Sequence, residues 1–259
     1  MRNSTGSVRM PGASAILFRI LFYVLGLFIL ALGVSFSVNS NFGISPVNSI
    51  PAVLNAMTGL QMGNCVVIVF SLFIVLQILI KRKEFKPIHL TQLVFSTIFG
   101  KFVDLTGAIL GDFSFPGLAG RIAMMLLSVL LIAIGVSLYV GVELINMPME
   151  GLTMAITEKS KGKTFHQIKV RVDTTVVIIA LILTFIFIKP IQANLGIQTY
   201  PTGLVYVGTV VSAVLVGTVM HPVQQILLPP VRRICFRESG QEPKRPAGQG
   251  SIALHGKVQ

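Results

Sequence analysis

The stretch RILFYVLGLFILALGVSFSVNSNFGISPVNSI, residues 19–50, recurs without a gap as RIAMMLLSVLLIAIGVSLYVGVELINMPMEGL, residues 121–152, at a spacing of 102. Identical pairs are Arg19/Arg121, Ile20/Ile122, Leu25/Leu127, Ala31/Ala133, Gly33/Gly135, Val34/Val136, Ser35/Ser137, Val38/Val140 and Pro46/Pro148. Most other positions exchange one apolar residue for another. In each copy an Arg opens a long apolar helix, Gly-Val-Ser closes it, and a Pro follows some ten residues later. An internal repeat decides architecture before any local pattern does. In a membrane protein it also points to where a site can form.

The composition is that of a membrane protein. The chain is 53% hydrophobic and 12% charged, with mean hydropathy +0.81. A soluble domain of 259 residues cannot hide that much apolar surface. The net charge of +12 would suit nucleic acid. The Lys and Arg, however, sit in loops and tails between apolar runs, which points to membrane topology and gives no nucleic-acid partner. Cys65 and Cys235 lie far apart on expected helices and read as free thiols. The first apolar run, Ile16–Val38, is longer than a signal-peptide core and lacks a small-x-small cleavage site, so it reads as an uncleaved helix.

About 20 apolar residues cross the hydrocarbon core. Six spans qualify, over roughly 17–38, 63–80, 88–109, 121–141, 169–188 and 200–221. With both termini in the cytoplasm, 18 of the 21 Lys and Arg fall on the inside. They occupy the N-terminus, the loops at 81–86 and 159–171, and the tail from Arg232. Three spans per copy is an odd number, so the second copy enters the bilayer upside down. The expectation is an all-α integral membrane protein with six transmembrane helices in a 3+3 inverted repeat. Its parts are a cytoplasmic N-terminal tail (1–15), a first three-helix repeat (16–112), a second, inverted one (113–231) and a basic disordered tail (232–259).

Each copy continues with a Pro-led segment too polar and too short to cross. The first starts at Ser45-Pro46-Val47-Asn48 and runs to Met57; the second starts at Asn146-Met147-Pro148-Met149-Glu150 and runs to about Glu158. Pro suits the first helical turn, where its missing N–H is not needed. Ser45 is placed as an N-cap. These half-helices read either as re-entrant elements, whose N-termini offer free N–H groups to a solute, or as amphipathic connectors on the two surfaces.

The order Gly43-Ile44-Ser45-Pro46, Thr58-Gly59-Leu60-Gln61-Met62-Gly63, Pro148-Met149-Glu150-Gly151-Leu152, Lys163 through Asp173, and Gly208-Thr209-Val210-Val211 resembles the YczE/YyaS/YitT group of bacterial membrane proteins over roughly residues 18–225. The resemblance implies a polytopic protein of the bacterial inner membrane, for which transport is the usual conjecture. The chain departs from the group in carrying Val47 where an aromatic usually follows the first Pro.

Ionisable residues at membrane depth are functional candidates. Lys101 and Asp104 are one turn apart on the third span and can pair. Asp173 opens the apolar part of the fifth span, within i,i+4 reach of Lys169. Glu143 and Glu150 flank the second half-helix. The functional reading makes Asp104, Asp173 and Glu143 proton-coupling groups, and Ser45, Asn48, Asn146, Glu150, Thr153 and Lys101 solute ligands. The blander reading makes Lys101–Asp104 a structural ion pair and Asp173 a topological anchor.

Small residues also recur at four-residue spacing: Ala31, Ser35 and Asn39 match Ala133, Ser137 and Gly141. They predict close packing of the first span on the fourth, with a homodimer interface as the alternative. No phosphate-binding loop, metal-ligand spacing or serine elbow is present, so no enzyme, cofactor or metal is expected. His89, His166 and His221 read as interfacial and His255 as solvated. The basic tail can hold anionic lipid weakly. The reading is a secondary transporter or exporter of a small polar solute, an anion among the candidates, by proton-coupled alternating access. Its site would lie where the half-helices and the Lys101/Asp104 turn converge. The rivals are a substrate-binding membrane subunit of a larger transport complex and a non-transporting accessory or signalling protein.

Overall fold

The computed structural model describes residues 13–160, 162–163, 165–195 and 207–236. Among these residues the fold is all helix. The elements are α1 (Ala13–Asn39), α2 (Pro46–Thr58), α3 (Met62–Lys81), α4 (Gln92–Leu110), α5 (Gly117–Gly141), α6 (Pro148–Lys159), α7 (Phe165–Ile186), α8 (Ile188–Leu195) and α9 (Val207–Phe236). Four stretches are long and apolar enough to cross a bilayer: α1, α3, α4 with the 3-10 turn before it, and α5. The pair α7 and α8, bent by 79°, makes a fifth if it counts as one span. The break has a local cause: Pro190 has no N–H to reach back to Ile186, so a new helix starts with the Pro in its first turn. The sixth expected span, 200–221, begins on residues outside those described. Helix α9 carries Pro222, Pro229 and Pro230 and runs to Phe236, past the expected start of the tail.

Helices α1 and α5 run antiparallel and touch backbone to backbone. A Cβ added to Gly33 would lie 2.9 Å from Ile132 N, and one added to Gly135 would lie 2.6 Å from Leu30 N. Leu30 and Ile132 are themselves related by the 102 spacing, so the contact is reciprocal. So are the ends. Arg19 donates to the carbonyls of Val142 and Glu143 at 2.9 and 3.0 Å, and Arg121 donates to those of Ser40 and Asn41 at 2.9 and 2.8 Å. Arg121 also lies over the Phe42 ring, 4.8 Å from its centroid. Each guanidinium thus satisfies the two carbonyls of the turn that ends the other long helix.

The Ala31/Ser35/Asn39 strip packs elsewhere than expected. Ser35 Oγ meets Thr106 Oγ1 at 2.8 Å, Thr106 donates to Ala31 O, and Asn39 donates to Gly111 O and Phe113 O. The strip therefore seats α1 on α4. Its counterpart seats α5 on α9, where Leu228 covers Gly141. The glycine ridge Gly26, Gly33 and Gly135 makes the α1–α5 contact instead. In lipid, close approach of this kind replaces the hydrophobic drive that holds soluble cores together.

Tyr23, Leu27, Phe70, Phe99, Tyr139 and Met149 form the centre of the main packed cluster, with Phe70 stacked on Phe99 at 6.0 Å. A second cluster joins Ile44, Ala52 and Val53 of the α2 region to Val177 and Ala180 of α7 and Ile191 of α8. Leu17, Leu21, Ile109, Leu118, Phe185 and Ile186 are exposed. An outer surface this apolar needs lipid around it. Both cysteines are free and buried.

Candidate functional site

Both half-helices begin in the protein interior. After α1 the chain reverses at Asn41 (φ 53°), and after α5 it reverses at Glu143 (φ 51°), 102 positions later. Both reversal residues are exposed, yet the chain is buried again by Ile44 and by Met147. Pro46 and Pro148 then open α2 and α6. The helices run outward from there, so the later residues Thr58 and Glu158 are exposed. Surface connectors would bury one stripe along their length; these bury their N-terminal ends.

The α6 end carries charge. Lys169 Nζ lies 2.9 Å from Asp173 Oδ1 and 3.7 Å from Glu150 Oε1. The side chains of Glu150, Lys169 and Asp173 are only 13, 21 and 18% exposed. One ammonium between two carboxylates leaves a net charge of −1 when all three are ionised, so the cluster becomes neutral on taking up one proton or one cation. Glu150 Oε2 is buried with no hydrogen-bond partner among the described residues. Tyr139, 1% exposed, lies against Glu150 and meets Tyr23 edge to face at 5.9 Å. Tyr23 donates to Met147 Sδ at 3.7 Å. From α3, Gln77 donates to Pro148 O at 2.9 Å and to Gln92 Oε1 at 3.1 Å. Gly151 leaves the room for this pair, since a Cβ there would strike Gln77 Oε1 at 2.5 Å. Glu150 lies in the first turn of α6, where the helix N-terminus favours a negative charge.

The α2 end is neutral. Asn48 donates to Ser45 Oγ at 3.0 Å and Ser49 to Pro46 O at 2.7 Å. The N–H of Ile44 donates to Thr209 Oγ1 at 3.1 Å. Ser45 stands at the N-cap position, but its side chain caps no backbone N–H. The Asn48 amide occupies it instead.

Of the sequence-predicted residues, the structure brings Glu150 and Asp173 together through Lys169, as expected for Lys169 and Asp173, and Ser45 and Asn48 together. Thr153 is buried one turn along α6, its hydroxyl donating back to Met149 O at 2.9 Å. Three other expectations are corrected. Lys101 and Asp104 do not pair: Asp104 Oδ1 accepts the N–H of Gly63 at 2.6 Å, in the first turn of α3, and Lys101 is exposed beside Asn64 and Thr97. The free N–H groups and positive end of α3 outcompete an ammonium that would have to leave its own wall. Nor does this turn converge with the α6 half-helix. Gly63 and Gln77 are fourteen residues apart on α3, roughly 21 Å, so Asp104 and the α6 cluster sit at opposite ends of that helix. Glu143 and Asn146 lie apart from the cluster as well: Glu143 is exposed and pairs with Arg232 at 3.1 Å, and Asn146 donates to Met154 Sδ at 2.9 Å. Lys169, Gln77, Gln92, Tyr23 and Tyr139 were missed as site residues. The two glutamines carried a readable signal, as uncharged polar groups inside otherwise apolar spans.

Residues 17–225 match a protein family described as "Family of unknown function (DUF6198)". The chain is 25% identical over 214 residues to "Uncharacterized protein YyaS" of Bacillus subtilis (strain 168), covering 82% of this chain and 94% of that one. It is 35% identical over 140 residues to "Uncharacterized membrane protein YczE" of the same organism, covering 54% of this chain and 63% of the relative. No solved structure matches.

Proposed function

The chain belongs to the DUF6198 family, a family of unknown function, and from that premise and the buried α6 cluster we propose that it is a proton-coupled secondary transporter or exporter of a small polar solute. It is a multi-pass membrane protein, and the proposal adds alternating access between two inverted halves. The reading puts both termini on the cytoplasmic side of a bacterial inner membrane. Reciprocity supports the halves. Arg19 and Arg121 exchange the same carbonyl positions. Helix α1 packs on α4 as α5 packs on α9, and α3 on α6 as α7 on α2. Two broken halves related in this way are the usual frame for a site at the repeat interface.

The observation that carries the reading is Glu150–Lys169–Asp173, held at the interior start of a short helix. Charges placed there cost several kcal/mol unless paired, and a structural pair needs only two of the three. The third lets the cluster exchange a proton for part of the solute. In this reading Asp173 and Glu150 share the coupled proton and Lys169 holds them at one point. Asp104 serves α3, and Lys101 and Glu143 stand outside the site.

The test is flux in liposomes of purified protein loaded with a pH-sensitive dye, challenged with a panel of small polar solutes. Solute-dependent proton movement is expected with the wild type and is lost in Glu150→Gln and Lys169→Met variants that remain folded. Flux without a partner excludes an obligate subunit role. Absence of any flux or binding across the panel favours an accessory protein and overturns the proposal.

A further inference from the structure

Asn48 and Glu150 are one position in the two copies, 102 residues apart. Each is the third residue of its half-helix, two places after the Pro. Each keeps one buried oxygen without a partner among the described residues, Asn48 Oδ1 and Glu150 Oε2. Among the described residues only four buried side-chain atoms are left so, and two of them fall on this single repeat position.

A buried acceptor without a donor costs about 1–3 kcal/mol. At Asn48, which is 1% exposed, the neighbouring hydroxyls do not reach it as the amide is placed. The Ser49 hydroxyl is spent on Pro46 O, and Ser45 Oγ accepts the Asn48 amide on the other side. The Asn48 amide nitrogen reaches back to Ser45 at the N-cap, which keeps this side chain at the start of α2. Helix α2 carries no ionisable residue, so apart from the partial charge of its own N-terminus no side chain on it balances a full charge. The same backbone position at α6 carries a carboxylate with a lysine beside it.

We propose that the Asn48 end of α2 is a second solute position, which takes an uncharged hydroxyl or amide N–H group, while the Glu150 end takes the charged or proton-linked part of the cycle. The proposal rests on the transport reading above. The two ends then differ by chemistry and share one backbone frame.

Cysteine accessibility tests this without knowing the natural solute. In a background with Cys65 and Cys235 changed to Ser, the near-isosteric variants Ser45→Cys and Ser49→Cys are reconstituted and treated with a water-soluble methanethiosulfonate. Val53→Cys, 1% exposed on the same helix, is the sealed control. The expected result is reaction at 45 or 49 roughly tenfold faster than at 53, because that end opens to water in the cycle. Erythritol or acetamide should slow it at least twofold, sodium sulfate should not, and Asn48→Leu should abolish the protection. Reaction no faster than the control overturns the proposal. So does protection by sulfate, which makes the end an anion site, and so does an absence of protection by any probe, which leaves a water path and no site. Glu150→Cys separates the two readings. Labelling there with inert 45 and 49 removes only the second position, and inertness at all three removes both.

Discussion

Replacing Gly135 with Ala tests the contact on which the two long helices depend. A Cβ at 135 lies 2.6 Å from Leu30 N, 2.7 Å from Gly26 O and 2.9 Å from Leu30 Cα. All three are backbone atoms, so no rotamer can move aside. Restoring ordinary contact needs the helices to part by about 0.8 Å, and a gap of that size forfeits a quarter to a half of each dispersion contact along the seam. Overpacking of this kind costs about 1–3 kcal/mol. The control is Gly107→Ala on α4, where an added Cβ meets nothing within 4 Å and helix propensity gains about 0.5–1 kcal/mol. We expect Gly135→Ala to fall about 2 kcal/mol below wild type, a loss of roughly 4–8 °C in Tm. The assay is built in: Cys65 and Cys235 are buried thiols, so a thiol-reactive fluorophore reports melting in detergent. Gly33→Ala, facing Ile132 N at 2.9 Å, should lose a similar but smaller amount. A Gly135→Ala protein that melts with Gly107→Ala or above it refutes the argument.

Three further outcomes follow from contacts described above. Asp104→Leu should lower stability by about 1–3 kcal/mol by uncapping the Gly63 N–H, with Asp104→Asn in between; loss of flux in a fully stable Asp104→Asn protein restores a coupling role. Arg19→Ala and Arg121→Ala should each cost about 1–3 kcal/mol and by similar amounts, read in the same melt, since each strands two carbonyls of the turn that ends the opposite helix. A loss in only one contradicts the reciprocity. Lys81 pairs with Glu158 at 2.9 Å, and Glu158 is half exposed, so a double-mutant cycle through Lys81→Ala and Glu158→Ala should give only about 0.2–1 kcal/mol of coupling. Coupling of several kcal/mol there means that this surface pair does more than tie α6 to α3.

The long helices and the Pro-led starts of α2 and α6 were legible because they are written twice and punctuated by residues with one structural use each. What the spacing could not show is the third partner. Lys101 and Asp104 stand one turn apart, but the α3 N-terminus competes for the carboxylate and comes from a segment forty residues away. Ala31, Ser35 and Asn39 read as a packing face, yet a small-residue stripe does not say which neighbour fills it, and Thr106 of α4 does. The charged cluster was half legible. Asp173 and Glu150 were singled out as charges near apolar runs. The i,i+4 spacing showed Lys169 beside Asp173, but not that the same ammonium also reaches Glu150 from α7. Tyr23 and Tyr139 carry no distinguishing signal inside apolar spans, and only the fold sets Tyr139 against Glu150 and Tyr23 against Tyr139.

The exchange of arginines has a consequence for biogenesis. The carbonyls of Ser40 and Asn41 wait for a residue about 80 positions further along the chain, and Arg19 waits for carbonyls more than 120 positions away. While the first half is being inserted, its reversal at Asn41 has no clasp and its glycine seam has no partner. The first half alone is therefore an open hand, and only the arrival of α5 lets both turns close in one step. An insertion machine that released the first three spans early would release this surface before Arg121 could close it.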